Sequence, residues 1–316
     1  MTRLMKAAVY KEFGSADKIA LEQIAVPELK EGEVLIRIRA AGVNPVDSAV
    51  REGYLQSFIP VEFPAIPGWD VAGVVEDRAY SARRFEPGDE VYAYARRPVV
   101  QHGTFAEYIV LPESYLALKP RTLTFSEAAG IPLVGLTAMQ SLIDAGRLQE
   151  GQVVLILGAS GGIGTMGIQI AKEKGAKVVG VASQTNHEYM KELGADHTID
   201  YRDTDIAAEL RDLFGEGVDL IFDAASGETL QKSLASLKPD GKLVSILNTG
   251  EDLPKDLNFK YVFVEPNSRQ LEALAEMADR GKLKVHLSNW YPLAEAAAAM
   301  RQIETHHTKG KIVIVP

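Results

Sequence analysis

Residues 153–172, Val-Val-Leu-Ile-Leu-Gly-Ala-Ser-Gly-Gly-Ile-Gly-Thr-Met-Gly-Ile-Gln-Ile-Ala-Lys, constrain the fold more than any other stretch. The first five are apolar and read as a strand buried on both faces. Gly158, Gly161 and Gly164 follow at three-residue spacing, with Gly162 as a fourth. The apolar run through Ile168, Ile170 and Ala171 reads as a helix closed by Gly175. A strand, a glycine turn and a helix aim free backbone N–H groups, and the positive end of the helix dipole, at an anion. Glycine suits the turn because a Cβ would hold a pyrophosphate off the backbone. Residues 177–182 read as a second buried strand at the right distance and complete one β-α-β unit. Gly158, Ser160, Gly161, Gly162, Ile163 and Gly164 are therefore the candidate dinucleotide-binding turn. The plain alternative is a glycine-rich connection with no ligand.

A chain of 316 residues is long enough for about two domains with real cores. Its net charge of −9, with no basic run, argues against nucleic acid or an anionic membrane as a partner. No apolar stretch approaches the roughly 18 residues of a membrane span. Residues 1–12 carry no secretory apolar region, so a cytoplasmic protein is expected. There is no cysteine, which excludes disulfides and any zinc site built on thiolates.

The first 120 residues read as short strands between Gly and Pro turns. Residues 33–40 alternate, with Val34, Ile36 and Ile38 on one face and Leu35, Arg37 and Arg39 on the other. Residues 71–76, 90–93 and 106–111 are further strands. The pattern predicts an antiparallel, barrel-like β domain. Near Thr124 the character changes, and Thr124 and Glu127 have capping-box spacing. From Val153, strands at 153–157, 177–182, 197–200, 218–222, 242–247 and 260–264 alternate with helical faces. Ile206, Leu210, Leu213 and Phe214 form one such face, and Leu230, Leu234 and Leu237 another. Six strands with intervening helices predict a doubly wound parallel α/β sheet. An alanine-rich helix over 293–303 and a last strand over 311–315 are expected to return to the first domain. The expected division is 1–123, 124–266 for the dinucleotide-binding domain, and 267–316 returning to the first.

At this point the sequence resembles a medium-chain dehydrogenase/reductase, and within that superfamily the zinc-free quinone oxidoreductase branch with its zeta-crystallin-type and enone reductases. The markers span the chain. They include Ala41-Gly-Val-Asn-Pro-Val-Asp47, Pro67-Gly-Trp-Asp-Val-Ala-Gly73, Gly103-Thr-Phe-Ala-Glu-Tyr108, Ala128-Ala-Gly-Ile-Pro132, Leu193-Gly-Ala-Asp196, Asp200-Tyr201 and Gly310-Lys-Ile-Val313. The resemblance implies a GroES-like catalytic domain beside a Rossmann domain, and NAD(P)H-dependent hydride transfer in the cleft between them. Zinc members hold their ion with Cys and His. Here the first of these positions is Asn44 and the second is Trp69, and neither amide nor indole replaces a thiolate or imidazole. The six histidines show no ligand spacing, and His306-His307 reads as a solvated pair. No metal is expected. Without a Lewis acid, acceptors that take hydride readily, quinones and α,β-unsaturated carbonyls, fit better than simple alcohols.

NAD-binding folds place a carboxylate about 20 residues beyond the glycines. Here residues 182–187 read Ala-Ser-Gln-Thr-Asn-His, with no carboxylate before Glu188. That permits NADPH, with Ser183, Asn186 and His187 as hydrogen-bonding candidates. Tyr201 matches a family tyrosine that borders the 2′-phosphate. No Arg or Lys lies in 183–187. By the same resemblance Asn44 holds the cofactor or the acceptor oxygen. Tyr54 lines the substrate cleft, either as a hydrogen-bond donor or as an aromatic wall. Thr137 contacts the cofactor, and Ala224, Leu247, Asn248, Phe263 and Val264 lie at the strand ends where this fold puts its ligands. The leading expectation is an NADPH-dependent quinone or enone reductase acting on a small molecule as a homodimer. The alternatives are an enoyl-type reductase and a non-catalytic NADPH-binding protein. A thioester carrier would need a basic entrance, for which Arg83-Arg84 and Arg96-Arg97 are the only candidates.

Overall fold

The computed structural model describes residues 3–202, 205–305 and 308–316; the His306-His307 pair lies outside them. The chain forms two compact units. One comprises the chain up to Leu133 with Glu265–Gly281 and Val285–Pro316; the other comprises Val134–Val264 with Lys282–Lys284. Among the described residues no helix is long and apolar enough to cross a membrane.

The first unit begins with an antiparallel pair, β1 (Leu4–Val9) and β2 (Ala20–Ala25). Its main sheet is built on β3 (Glu33–Val43), with β4 (Asp70–Arg78), β5 (Glu90–Tyr94), β6 (Tyr108–Pro112) and β7 (Leu116–Leu118). β3 pairs antiparallel with both β4 and β6. Ile36 and Ile38 are buried while Arg37 and Arg39 are exposed, as alternation requires. Leu35 is buried as well, because a register shift against β4 falls between Leu35 and Ile36.

A short helix, α1 (Pro45–Arg51), follows β3, with proline in its first turn. The second, α2 (Phe125–Ala129), starts at the Thr124 capping box. The Glu127 amide donates to Thr124 Oγ1 (3.3 Å), and the Thr124 amide to Glu127 Oε2 (2.8 Å). A Cβ on Gly42 would lie 2.4 Å from the Ala129 carbonyl, so α2 sits directly on β3. This contact keeps α2 in the first unit, past the expected boundary at residue 124. Then α3 (Pro132–Met139) runs into a π-helical turn over Gln140–Ala145.

The second unit is one parallel sheet. Its strands are β8 (Val153–Leu157), β9 (Lys177–Val181), β10 (His197–Ile199), β11 (Val218–Asp223), β12 (Leu237–Ser245) and β13 (Phe259–Tyr261). Their spatial order is β10-β9-β8-β11-β12-β13, so the winding reverses between β8 and β11. All five residues of β8 are buried, which accounts for its unbroken apolar run. The helices are α4 (Gly162–Glu173), α5 (His187–Glu192), α6 (Ile206–Phe214) and α7 (Gly227–Ser233). Ile206, Leu210 and Leu230 join strand residues such as Leu155, Val179 and Ile221 in one core, with Phe214 packed against it. Leu213 is exposed, and Leu237 opens β12 rather than closing a helical face.

Several predicted strand bounds in this sheet shift, most of them by one residue; β12 opens at Leu237, before the expected 242, and the carboxyl ends of β12 and β13 fall short. Strand β12 stops at Ser245, because Ser245 Oγ accepts the amides of Leu247 (3.1 Å) and Asn248 (2.9 Å) and turns the chain there. Strand β13 covers Phe259–Tyr261 only, so Phe263 and Val264 lie beyond it. The chain then returns through α8 (Ser268–Asp279), β14 (Leu287–Pro292), α9 (Ala296–Ile303) and β15 (Lys311–Val315). β15 pairs antiparallel with β3 and parallel with β14.

Candidate functional site

In the second unit the turn after β8 meets the loop after β11, at the point where the sheet reverses its winding. Open α/β sheets bind ligands at such a switch point. Gly158 has φ +73°, and a Cβ there would lie 2.9 Å from the Ala224 carbonyl. On Gly164 a Cβ would lie 2.3 Å from the Gly158 carbonyl, so that glycine lets α4 seat on its own strand. Gly161 is different: its Cβ would meet no atom closer than 3.4 Å. Gly161 caps α4, so Gly162, Ile163 and Gly164 are its first amides and have no carbonyl one turn back to bond. The geometry fits a dinucleotide's phosphates, with Gly158 and Gly164 shaping the turn and the open ground at Gly161 admitting the anion.

The loops beside this turn are held by two residues that sequence reasoning passed over. Asp223 is fully buried at the end of β11 and accepts from Ser245 Oγ (2.6 Å), the Ala225 amide (3.1 Å) and the Ser226 amide (2.7 Å). Ser226 is held at φ +59°. Through Ser245, the same network fixes Leu247 and Asn248. Leu247 is 55% exposed, a large apolar side chain left in solvent at the carboxyl edge of the sheet. A carboxylate closing a buried strand was the one available signal. Ala224 and Phe263 are half-buried and Val264 is buried. Thr137 is buried on α3.

After β9, Ser183, Gln184, Thr185 and Asn186 form a tight turn. Asn186 Nδ2 donates to Ser183 Oγ (3.0 Å), and Ser183 Oγ lies 3.2 Å from Thr185 Oγ1. His187 opens α5 with its Nε2 buried and unpartnered among the described residues. Asp200, from the end of β10, accepts the Gln184 amide (2.9 Å) and pairs with Arg202. Tyr201 is exposed between them.

In the first unit Asn44 and Asp70 lie in a buried polar knot with Lys311 from β15. Lys311 Nζ donates to the Val43 carbonyl (3.1 Å) and to Asn44 Oδ1, and lies 3.4 Å from Asp70 Oδ2. Asn44 Nδ2 donates to Asp70 Oδ2 (2.9 Å), and the Leu133 amide to Asp70 Oδ1 (2.7 Å). The Asn44 amide is thus engaged at both ends, and the residue is 1% exposed. The Asn44 N–H donates to Asp47 Oδ2 (2.8 Å), whose other oxygen has no partner among the described residues. Burial pushes the Asp47 carboxyl up to about 8, against the pull of that N–H and with a further push from Asp70. Burial also raises Asp70 and lowers Lys311, each opposed by the charge of the other. Tyr54 sits apart from this knot, in the turn after α1, and is 73% exposed.

A catalytic zinc does not fit these residues. An ammonium stands in the knot, Trp69 packs edge-on against Tyr94 with ring centroids 6.0 Å apart, and Asn44 is spent on Lys311 and Asp70. Among the described residues no three His, Cys, Asp or Glu side chains gather as a ligand set.

Residues 30–121 match the family described as alcohol dehydrogenase GroES-like domain, and residues 193–314 the one described as zinc-binding dehydrogenase. The NADPH-dependent alkenal/one oxidoreductase of Arabidopsis thaliana chloroplasts is 37% identical, over 99% of this chain and 80% of that protein. The 2-methylene-furan-3-one reductase of Solanum lycopersicum is also 37% identical, over 99% and 79%. The structure of the quinone oxidoreductase from Coxiella burnetii superposes with a TM-score of 0.89 at 30% identity, covering 99% of this chain and all of that one. Fold and glycine turn together define a nicotinamide-dependent oxidoreductase. The chain belongs to the medium-chain dehydrogenase/reductase superfamily, in its quinone and enone reductase branch.

Proposed function

We propose that this enzyme uses NADPH to reduce a quinone or an α,β-unsaturated carbonyl without a metal. The Lys311 ammonium, lodged against Asn44 and Asp70, carries this reading. It occupies Asn44 Oδ1 and lies 3.4 Å from Asp70 Oδ2, so the oxygens a divalent ion would need are already engaged by a lysine. The relatives that reduce alkenals, enones and quinones by their names support the same acceptor class.

When bound, the nicotinamide supplies the hydride. The protein's part is position and charge stabilisation. The amides of Gly162, Ile163 and Gly164 hold the pyrophosphate, and Thr137, Ala224, Leu247, Asn248, Phe263 and Val264 flank the rest of the coenzyme. Ser183, Asn186, His187 and Tyr201 face its adenosine end. Asn44 acts as a positioning residue, because both ends of its amide are already bonded. Tyr54, with its exposed phenol, meets the acceptor.

An enoyl thioester is a poorer fit. Arg84 pairs with Glu272 (2.9 Å), Arg96 with Glu265 (2.7 Å) and Arg97 with Glu33 (2.9 Å), so three of the four bases are engaged inside the first unit, and Arg83 lies over the Tyr80 ring, 5.5 Å from its centroid. The test is NADPH oxidation with a quinone panel and an enone panel, with and without EDTA. Turnover that EDTA leaves unchanged is expected. Tight NADPH binding with no turnover on either panel would favour a non-catalytic protein, and loss of rate with EDTA would restore a metal. The edge strand β13 is proposed to pair across a homodimer, since an uncovered edge invites a partner strand. A monomer in light scattering removes that.

A further inference from the structure

We propose that Arg202 is the base that recognises the coenzyme's 2′-phosphate and so sets the preference for NADPH over NADH. The inference rests on the coenzyme reading above and names the residue that discriminates. No Arg or Lys stands in the turn after β9, where the second ribose of a dinucleotide belongs in this fold. The parallel pairing of β10 with β9 supplies one from further along the chain. Ile199 is in register with Val181, and the Ala182 amide donates to the Ile199 carbonyl (3.1 Å). The residues that follow β10 therefore run alongside Ser183–Asn186.

Asp200 fixes the arginine there. Arg202 Nε donates to Asp200 Oδ1 (3.1 Å) and a terminal guanidinium nitrogen to Oδ2 (2.7 Å), a two-pronged contact. The Arg202 amide adds a bond to Oδ1 (3.0 Å), and the Gln184 amide one to Oδ2 (2.9 Å). Those four donors fill about as many lone-pair sites as a carboxylate has. Arg202 first, and then the Gln184 amide, hold the Asp200 carboxyl well below the usual range, so it is ionised and fully engaged. It cannot also take the two ribose hydroxyls, which is what the acid of an NAD site does. What the pair offers a ligand is the guanidinium, whose side chain is 50% exposed. With Asp200 neutralised, a phosphate dianion arriving at Ser183 and Asn186 meets a pre-oriented, charged donor.

The experiment is fluorescence titration of NADPH and NADH against the wild type, Arg202→Gln, Arg202→Lys and the double variant Asp200→Asn/Arg202→Gln, each first checked for an unchanged melt. The double variant removes the carboxylate charge that the single one leaves bare. Expected is a rise of about tenfold or more in the NADPH Kd of both glutamine variants, with NADH changed less than about twofold and partial recovery with lysine. Competition by 2′,5′-ADP should weaken in parallel, while 5′-AMP stays constant. NADPH binding within about twofold of wild type in Arg202→Gln overturns the proposal, and so does recovery in the double variant, which would assign the loss to the bare Asp200. A wild type that binds both coenzymes equally also overturns it. A wild type that binds neither sinks the coenzyme reading itself.

Discussion

Lys311 ties together two buried polar groups of the first unit, Asn44 and Asp70. Removing its charge leaves Asp70 without compensation in the core, so Lys311→Met should cost about 3–5 kcal/mol in urea unfolding. Adding Asp70→Asn should recover part of that loss, because the stranded charge goes with it. Asp47 gives a pH signature. Unfolded it ionises near pH 3.9, and folded at about 8. Between those values the native state holds the extra proton, so this residue's contribution to stability falls as pH rises. Asp47→Asn keeps an acceptor for the Asn44 amide, and its stability relative to wild type should climb from pH 5 to pH 8 in paired denaturation curves. The sequence placed an amide and an indole, Asn44 and Trp69, at the positions where zinc members carry their ligands. It could not show what stood there instead, because Lys311 lies 241 residues from Asp70 and 267 from Asn44. Arg202 escaped for a related reason: it lies well beyond the turn at 183–187 in the chain, and the pairing of β10 with β9 is what brings its neighbour Asp200 against that turn.

Among the elements, those with a local signal were legible. The capping box at Thr124 starts α2 where its spacing says, and Thr124→Ala should cost about 1 kcal/mol in thermal or urea unfolding. Strand β8 was readable to the residue because a fully buried strand is apolar at every position. The end of β12 was not, since side chain–backbone bonds decide it. Ser245 stops β12 by capturing two amides while donating to the buried Asp223. Ser245→Ala should therefore cost about 1–3 kcal/mol and speed amide exchange at Leu247 and Asn248. Gly164→Ala tests the turn itself. Its Cβ would sit 2.3 Å from the Gly158 carbonyl, so α4 must move and coenzyme affinity should drop at least about tenfold in a titration.

At the scale of the molecule, a ligand that binds only the folded second unit stabilises it by mass action. NADPH at a hundred times its Kd should raise that unit's unfolding free energy by about 2.7 kcal/mol, visible as a higher melting temperature. What the sequence determined by itself was the class of each half: alternation and turns for an antiparallel sheet, a glycine turn between buried strands for a doubly wound one. Periodicity and backbone sterics act between near neighbours, so a linear reading recovers them. The tertiary structure alone decided that α2 belongs with the first sheet and that β15 brings an ammonium under Asn44. It also decided that Asp200, paired with Arg202, reaches from the end of β10 to the turn after β9. Such pairings join positions far apart in the chain, and burial, which shifts the ionisation of Asp47 and Asp70 upward and of Lys311 downward, exists only once the sheets have closed over them.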